Sequence, residues 1–205
     1  MEAVFLGGSR RIARLDERIR TKLDQLVARG LWMLVGDANG ADRAIQEHLA
    51  SRGYERVVVY SVAGMLRNNV GHWEVRSVEA PKGARGCNLY SAKDREMAKD
   101  ASYGFMIWDG KSRGTLENVR NLLAYGKPVA VHLEPLNRFV SLRSTEELHK
   151  LGVVSSKNSR DRHDISLVDL ADTARQTSAS YGGRPSRAAR PQPKRRRSAS
   201  ARNRS

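Results

Sequence analysis

The stretch AVFLGGSR, residues 3–10, sets the reading of this chain. Ala3, Val4, Phe5 and Leu6 form an apolar run too short for a helix, and Gly7-Gly8 ends it, as a turn ends a buried strand. Ser9 and Arg10 follow. Ile12, Leu15, Ile19, Leu23 and Leu26 then recur at spacings of three and four, the period of an amphipathic helix that stops near Gly30. Strand, glycine turn and helix make one unit, and the unit repeats.

Moving outward, residues 31–35 read as a second strand closed by Gly36, and Ala41, Ala44, Ile45 and Leu49 mark a second helix ending at Gly53. Valine-rich residues 56–60 are the third strand. Residues 61–90 are irregular, with a strand suggested only over 72–78. Connections of that length are usually functional or mobile. A helix over 91–102, a strand over 103–108, a helix over 115–125 and a strand over 128–133 follow. Ser144-Thr145-Glu146-Glu147 has the capping-box spacing and starts a short helix running to about Leu151. A weaker helix is expected over 165–174.

Strands alternating with helices imply parallel βαβ units with helices on both faces. Right-handed crossovers reduce the topology to an α/β, Rossmann-like doubly wound parallel sheet, with short C-terminal helices and a disordered basic tail. The expected division is one folded domain over 1–152, a linker with a short helix over 153–183, and the tail over 184–205.

The composition fits that plan. Of 205 residues, 40% are hydrophobic, enough for one core plus a less ordered segment. No run approaches the length of a membrane span, no secretory leader is evident, and the single Cys87 excludes an internal disulfide, so a cytoplasmic protein is expected. The five histidines show no metal-ligand spacing with one another or with Cys87, and neither a metal nor another cofactor is expected. The net charge is +15, and nine Arg and Lys with no acid lie in residues 184–205, which leaves about +6 for the rest. That tail has too little apolar bulk to offset the entropy of ordering. It reads either as a polyanion or nucleic-acid attractor or as a solubilising end.

In a doubly wound sheet the ligand lies beyond the carboxyl ends of the strands, where the strand order reverses. Three loops leave strands at that edge. In the first, Gly7 and Gly8 allow close backbone approach, Ser9 offers a hydroxyl and Arg10 a charge, and the next helix would present free N–H groups to an anion. The second holds Gly36, Asp37, Asn39, Gly40 and Asp42, with polar groups suited to a ribose. Asp42 reads foremost as a first-turn acid favoured by the helix dipole. The third gathers Lys111, Ser112, Arg113, Gly114 and Thr115 before a helix, as a phosphate cradle does, without P-loop spacing. With strand order 3-2-1-4-5 the first and third loops face each other. Trp108 is placed either to stack on a base or to fill the core, and His72 and Trp73 to form a lid.

GGSR at residues 7–10 and GDANGADRAI at 36–45 resemble segments of the SLOG superfamily, which contains the DNA-processing protein DprA and the Lonely Guy phosphoribohydrolases. Arg67-Asn68-Asn69 is similar to the Arg-Asn that follows in small members. Arg113-Gly114-Thr115-Leu116-Glu117 is similar to the Gly-Thr-x-Glu part of the Lonely Guy motif, and Gly126-Lys127-Pro128-Val129 looks like a strand entry shared with nucleoside deoxyribosyltransferases. The resemblance covers roughly residues 3–132 and implies a nucleotide crevice. The chain departs from it where the family's catalytic glutamate is replaced by Asn118, with Glu117 one residue early, and where an Arg-Lys pair is replaced by Lys93-Asp94.

The leading expectation is a protein that binds a nucleotide or nucleoside-like small molecule as a sensor or regulatory subunit. The alternatives are an N-glycosidic hydrolase or transferase with Glu117 or Asp109 as carboxylate, and a DprA-like binder of single-stranded nucleic acid. Any of these is compatible with a homo-oligomer.

Overall fold

The computed structural model describes residues 2–154 other than Gly86. The expected linker, the weaker helix over 165–174 and the basic tail lie outside the described residues.

Seven strands form one sheet in the order β4-β3-β2-β1-β5-β6-β7. They are β1 (Ala3–Gly8), β2 (Trp32–Gly36), β3 (Val57–Val62), β4 (Glu74–Val78), β5 (Tyr103–Trp108), β6 (Val129–Leu133) and β7 (Arg138–Leu142). Five helices accompany them: α1 (Glu17–Ala28), α2 (Ala41–Ser51), α3 (Cys87–Asp100), α4 (Arg113–Ala124) and α5 (Thr145–Val154). β1 is flanked in parallel by β2 and β5, with Leu6 opposite Val35 on one side and Phe105 on the other. The reversal of strand order therefore falls between β1 and β5, and the Rossmann-like doubly wound α/β reading holds.

Alternate residues of each strand leave on opposite faces. Val4 and Leu6 pack with Ile19, Leu23, Leu26, Ile45 and Leu49 of α1 and α2. Ala3 and Phe5 pack with Met97, Ala98, Val119 and Leu122 of α3 and α4. Strands buried on both faces are why the sequence shows continuous apolar runs there.

Several details depart from the sequence reading. Gly7 and Gly8 belong to β1 itself. The first helix starts at Glu17, not after Arg10. Asp16 caps it, its carboxylate accepting the Ile19 N–H at 2.8 Å. Ile12 and Leu15 are buried from an irregular segment, and buried loop residues at spacings of three and four imitate a helical stripe. α3 starts at Cys87, several residues early, and α4 starts at Arg113, so Arg113, Gly114 and Thr115 form the first turn of a helix.

The sheet is not wholly parallel. β4 adds a parallel edge beyond β3, and β7, which the sequence reading lacked, pairs antiparallel with β6. A 3-10 turn over Glu134–Leu136 and Asn137 in the left-handed region reverse the chain between β6 and β7. Trp73 is no lid residue: it is buried in the α1/α2 core, and its indole donates to the Tyr54 carbonyl at 2.8 Å.

Candidate functional site

Two polar clusters lie side by side at the carboxyl ends of the central strands. The first joins the loops after β1 and β5, as expected from their facing positions. Ser9, fully buried, donates to Asp109 Oδ1 at 3.0 Å and accepts the Asp109 N–H at 3.1 Å. Its hydroxyl lies 3.2 Å from that of Thr115, which in turn donates to Ser112 Oγ at 3.0 Å. Ser112 caps α4 by accepting the Thr115 N–H. The N–H groups of Lys111 and Ser112 both donate to Asp109 Oδ1, at 3.0 and 2.7 Å.

The cradle therefore already holds an anion, the Asp109 carboxylate. Partial burial opposes that charge. The two backbone N–H groups and the Ser9 hydroxyl outweigh it and keep the carboxyl below the usual range. Three donors on Oδ1 bind the two loops together, and a carboxyl held below its usual range is a weak base. Trp108, half-buried against the α3/α4 core, donates its indole N–H to the Ser112 carbonyl at 3.1 Å, which fixes the same loop from behind.

Other groups at this edge face outward. Gly114 is exposed, with open space where a side chain would stand. Arg10, Arg11, Arg14, Lys111 and Arg113 are exposed, and none makes an ion pair among the described residues. Glu117 is not brought into the cluster. It is exposed on α4, 3.6 Å from Arg120 in a surface pair.

The second cluster is a network of buried charges at the end of β2. Asp37, 1% exposed, takes both arms of Arg67, Nη2 at 2.6 Å and Nε at 3.2 Å, together with the Arg67 backbone N–H at 3.1 Å. Lys93, 3% exposed, donates to Asp94 at 2.9 Å and lies 3.7 Å from Asp37. Asp42 reaches in from α2 and accepts the Ala38 N–H at 3.3 Å.

Asp42 and Lys93 come from helices on opposite faces of the sheet and meet where Gly36 has no side chain. A Cβ built there would stand 2.3 Å from Asp42 Oδ2 and 2.9 Å from Lys93 Nζ. Burial raises the Asp42 carboxyl to about 6, with Lys93 opposing the rise. Burial also works against the Lys93 charge, and the Asp94 and Asp42 carboxylates outweigh it, so the ammonium is held. The bland reading of Asp42 as a helix-dipole acid misses this pairing.

Around this network the loop after β3 is pinned. Asn68 donates to the Asp37 carbonyl at 2.8 Å and to Asn39 at 3.0 Å. Gln46 donates to the Gly36 carbonyl and accepts the Val70 N–H at 2.9 Å. Gly40 is forced by a second contact. Its φ is +86°, and a Cβ there would stand 2.2 Å from the Arg10 carbonyl oxygen, so the first two loops touch backbone to backbone.

Sequence reasoning missed Lys93 and Gln46 as members of the site. The signal for Lys93 is present in hindsight: it lies four residues before the buried Met97, on the helix stripe that faces the sheet. Among the described residues no group of His, Cys, Asp and Glu is arranged to hold a metal ion, and no helix is long and apolar enough to cross a membrane.

No protein-family model and no curated protein matches the chain. Among solved structures, the fold is similar to that of DNA processing protein A from Helicobacter pylori, described for its single-stranded DNA binding mode. The TM-score is 0.52 at 17% identity, over 88% of this chain and 81% of that one.

Proposed function

We propose that this chain binds single-stranded nucleic acid across the carboxyl edge of its sheet. The observation that carries the reading is the contrast within the first cluster. The inner cradle is closed by Asp109, while Arg10, Arg11, Arg14, Lys111 and Arg113 stand outside it, exposed and in no ion pair among the described residues, with only Arg11 near enough to add its charge to the hold on Asp109. Unpaired cations around a closed cradle suit a chain of phosphates passing over the surface better than one phosphate enclosed in a pocket. The likeness in fold to a protein described as binding single-stranded DNA supports the same direction, and the basic residues 184–205 add charge for any polyanion.

A second reading, a mononucleotide at the same edge, is favoured by one observation: the open backbone of Gly114 in the first turn of α4, where a phosphate can approach helix N–H groups. Titration of a fluorescent 20-mer oligothymidylate, followed by anisotropy at low salt, separates the two. Tight binding, displaced by unlabelled oligonucleotide and only weakly by mononucleotides at hundredfold excess, is the expected result. Displacement by a mononucleotide as effective as by the 20-mer would favour the small ligand instead.

A further inference from the structure

The loop after β3 presents a planar cation that the phosphate contacts do not use. The Arg67 guanidinium lies over the Tyr90 ring, 4.4 Å from its centroid. Its Nε and Nη2 are held in plane by the two oxygens of buried Asp37. Asp37 is in turn fixed by Lys93 and by the Arg67 backbone N–H. One face of the guanidinium is thus covered and one edge bonded. The side chain is still 29% exposed, so part of the group meets solvent.

A surface arginine is ordinarily flexible, and immobilising it costs rotamer entropy. Here that cost is met on folding, so a flat ligand finds the plane already set. The same loop also exposes apolar side chains, which suits a flat, partly apolar ligand. Met65 at 41%, Leu66 at 49% and Val70 at 36% are three of the five large hydrophobics that the described residues leave exposed, and all lie in this loop. β3 stands three strand spacings from β5, about 14 Å along the same edge, within reach of a strand whose phosphates lie on the β1 and β5 loops.

From this we infer that Arg67, backed by Tyr90, is a stacking platform for one nucleobase of the bound strand. The inference rests on the nucleic-acid reading above and adds a base contact to it. Stacking on a guanidinium plane needs only the π face of a base, so it gives affinity without sequence preference.

The test compares two oligonucleotides of equal length and charge, oligothymidylate and an abasic deoxyribose-phosphate chain, on the full-length protein. The native protein is expected to prefer the thymidylate by about fivefold, the low end of what one stacked base contributes. Arg67→Lys, which keeps the charge beside Asp37 but not the plane, should bind both chains equally. Tyr90→Leu should reduce the preference and Tyr90→Phe should retain it, with thermal melting reported for each variant. A merely structural or coulombic role for Arg67 would weaken both oligonucleotides alike and leave their ratio unchanged. A native protein that binds both equally overturns the platform and leaves the nucleic-acid reading standing. Binding of neither removes both. Preference undiminished in Arg67→Lys also overturns the platform.

Discussion

Single residues at this edge are constrained by close contact, and two of them give direct tests. Gly40 combines a φ of +86° with a carbonyl oxygen 2.2 Å from where a Cβ would stand. Gly40→Ala therefore adds both backbone strain and a clash that only a shift of the first loop relieves. It should lower stability by on the order of 3 kcal/mol in urea unfolding. A change below about 0.5 kcal/mol would show that the two loops do not hold each other. Asp42 gives a test in pH. Its folded carboxyl titrates at about 6 against an ordinary 3.8, so between those values the folded chain keeps a proton that the unfolded chain has lost. That contribution is fully present below about pH 4 and is lost as pH rises through 6, a change of up to about 3 kcal/mol. Relative to the native protein, Asp42→Asn should accordingly gain stability between pH 4 and 7. A difference that does not move with pH would mean that the carboxylate is solvated.

At the scale of elements, the N-terminus of α4 ties the helix to the cradle. Ser112 accepts from the Thr115 N–H and hydroxyl, and its own N–H goes to Asp109. Ser112→Ala should cost about 1–2 kcal/mol as a lost cap, and Ser112→Thr should restore most of it, measured by thermal unfolding. Equal loss in both variants would point to crowding around the hydroxyl cluster in place of capping. Elements were legible in the sequence where periodicity and core burial coincide. β1, β2, β3, β5 and β6 are apolar runs buried on both faces, and each stands close to its expected place. The start of α1 was illegible because Ile12 and Leu15 are buried by the loop itself, and a helical spacing does not say whether the backbone between its residues is helical. β7 was illegible because Arg138–Leu142 lies on an edge and is no continuous apolar run, with Phe139 on one face and Val140 and Leu142 on the other. Only its pairing with β6 gives that pattern meaning.

At the scale of the whole molecule, the meeting of the first and third loops followed from topology, since β1 must neighbour the strand after the crossover in a doubly wound sheet. What topology does not give is how side chains satisfy one another once they meet. Asp109 takes the loop N–H groups for itself, Glu117 faces Arg120 in solvent, and Lys93 crosses to Asp42 through the gap at Gly36. Lys93 and Asp42 are far apart in sequence and leave no spacing to read, while Asp109 and Glu117 turn to neighbours two or three residues away, a local choice that a motif does not reveal. On the proposed function the folded edge, and not the basic residues 184–205 alone, carries nucleic-acid binding. The most direct test is the salt dependence of single-strand affinity for the full chain and for a variant with Arg10, Arg11, Lys111 and Arg113 all replaced by alanine. Each lost phosphate contact should reduce the slope of log affinity against log salt by about 0.7, so the variant should bind more weakly with a slope shallower by roughly 3. Equal affinity and equal slope in the two proteins would show that these four side chains do not meet the strand.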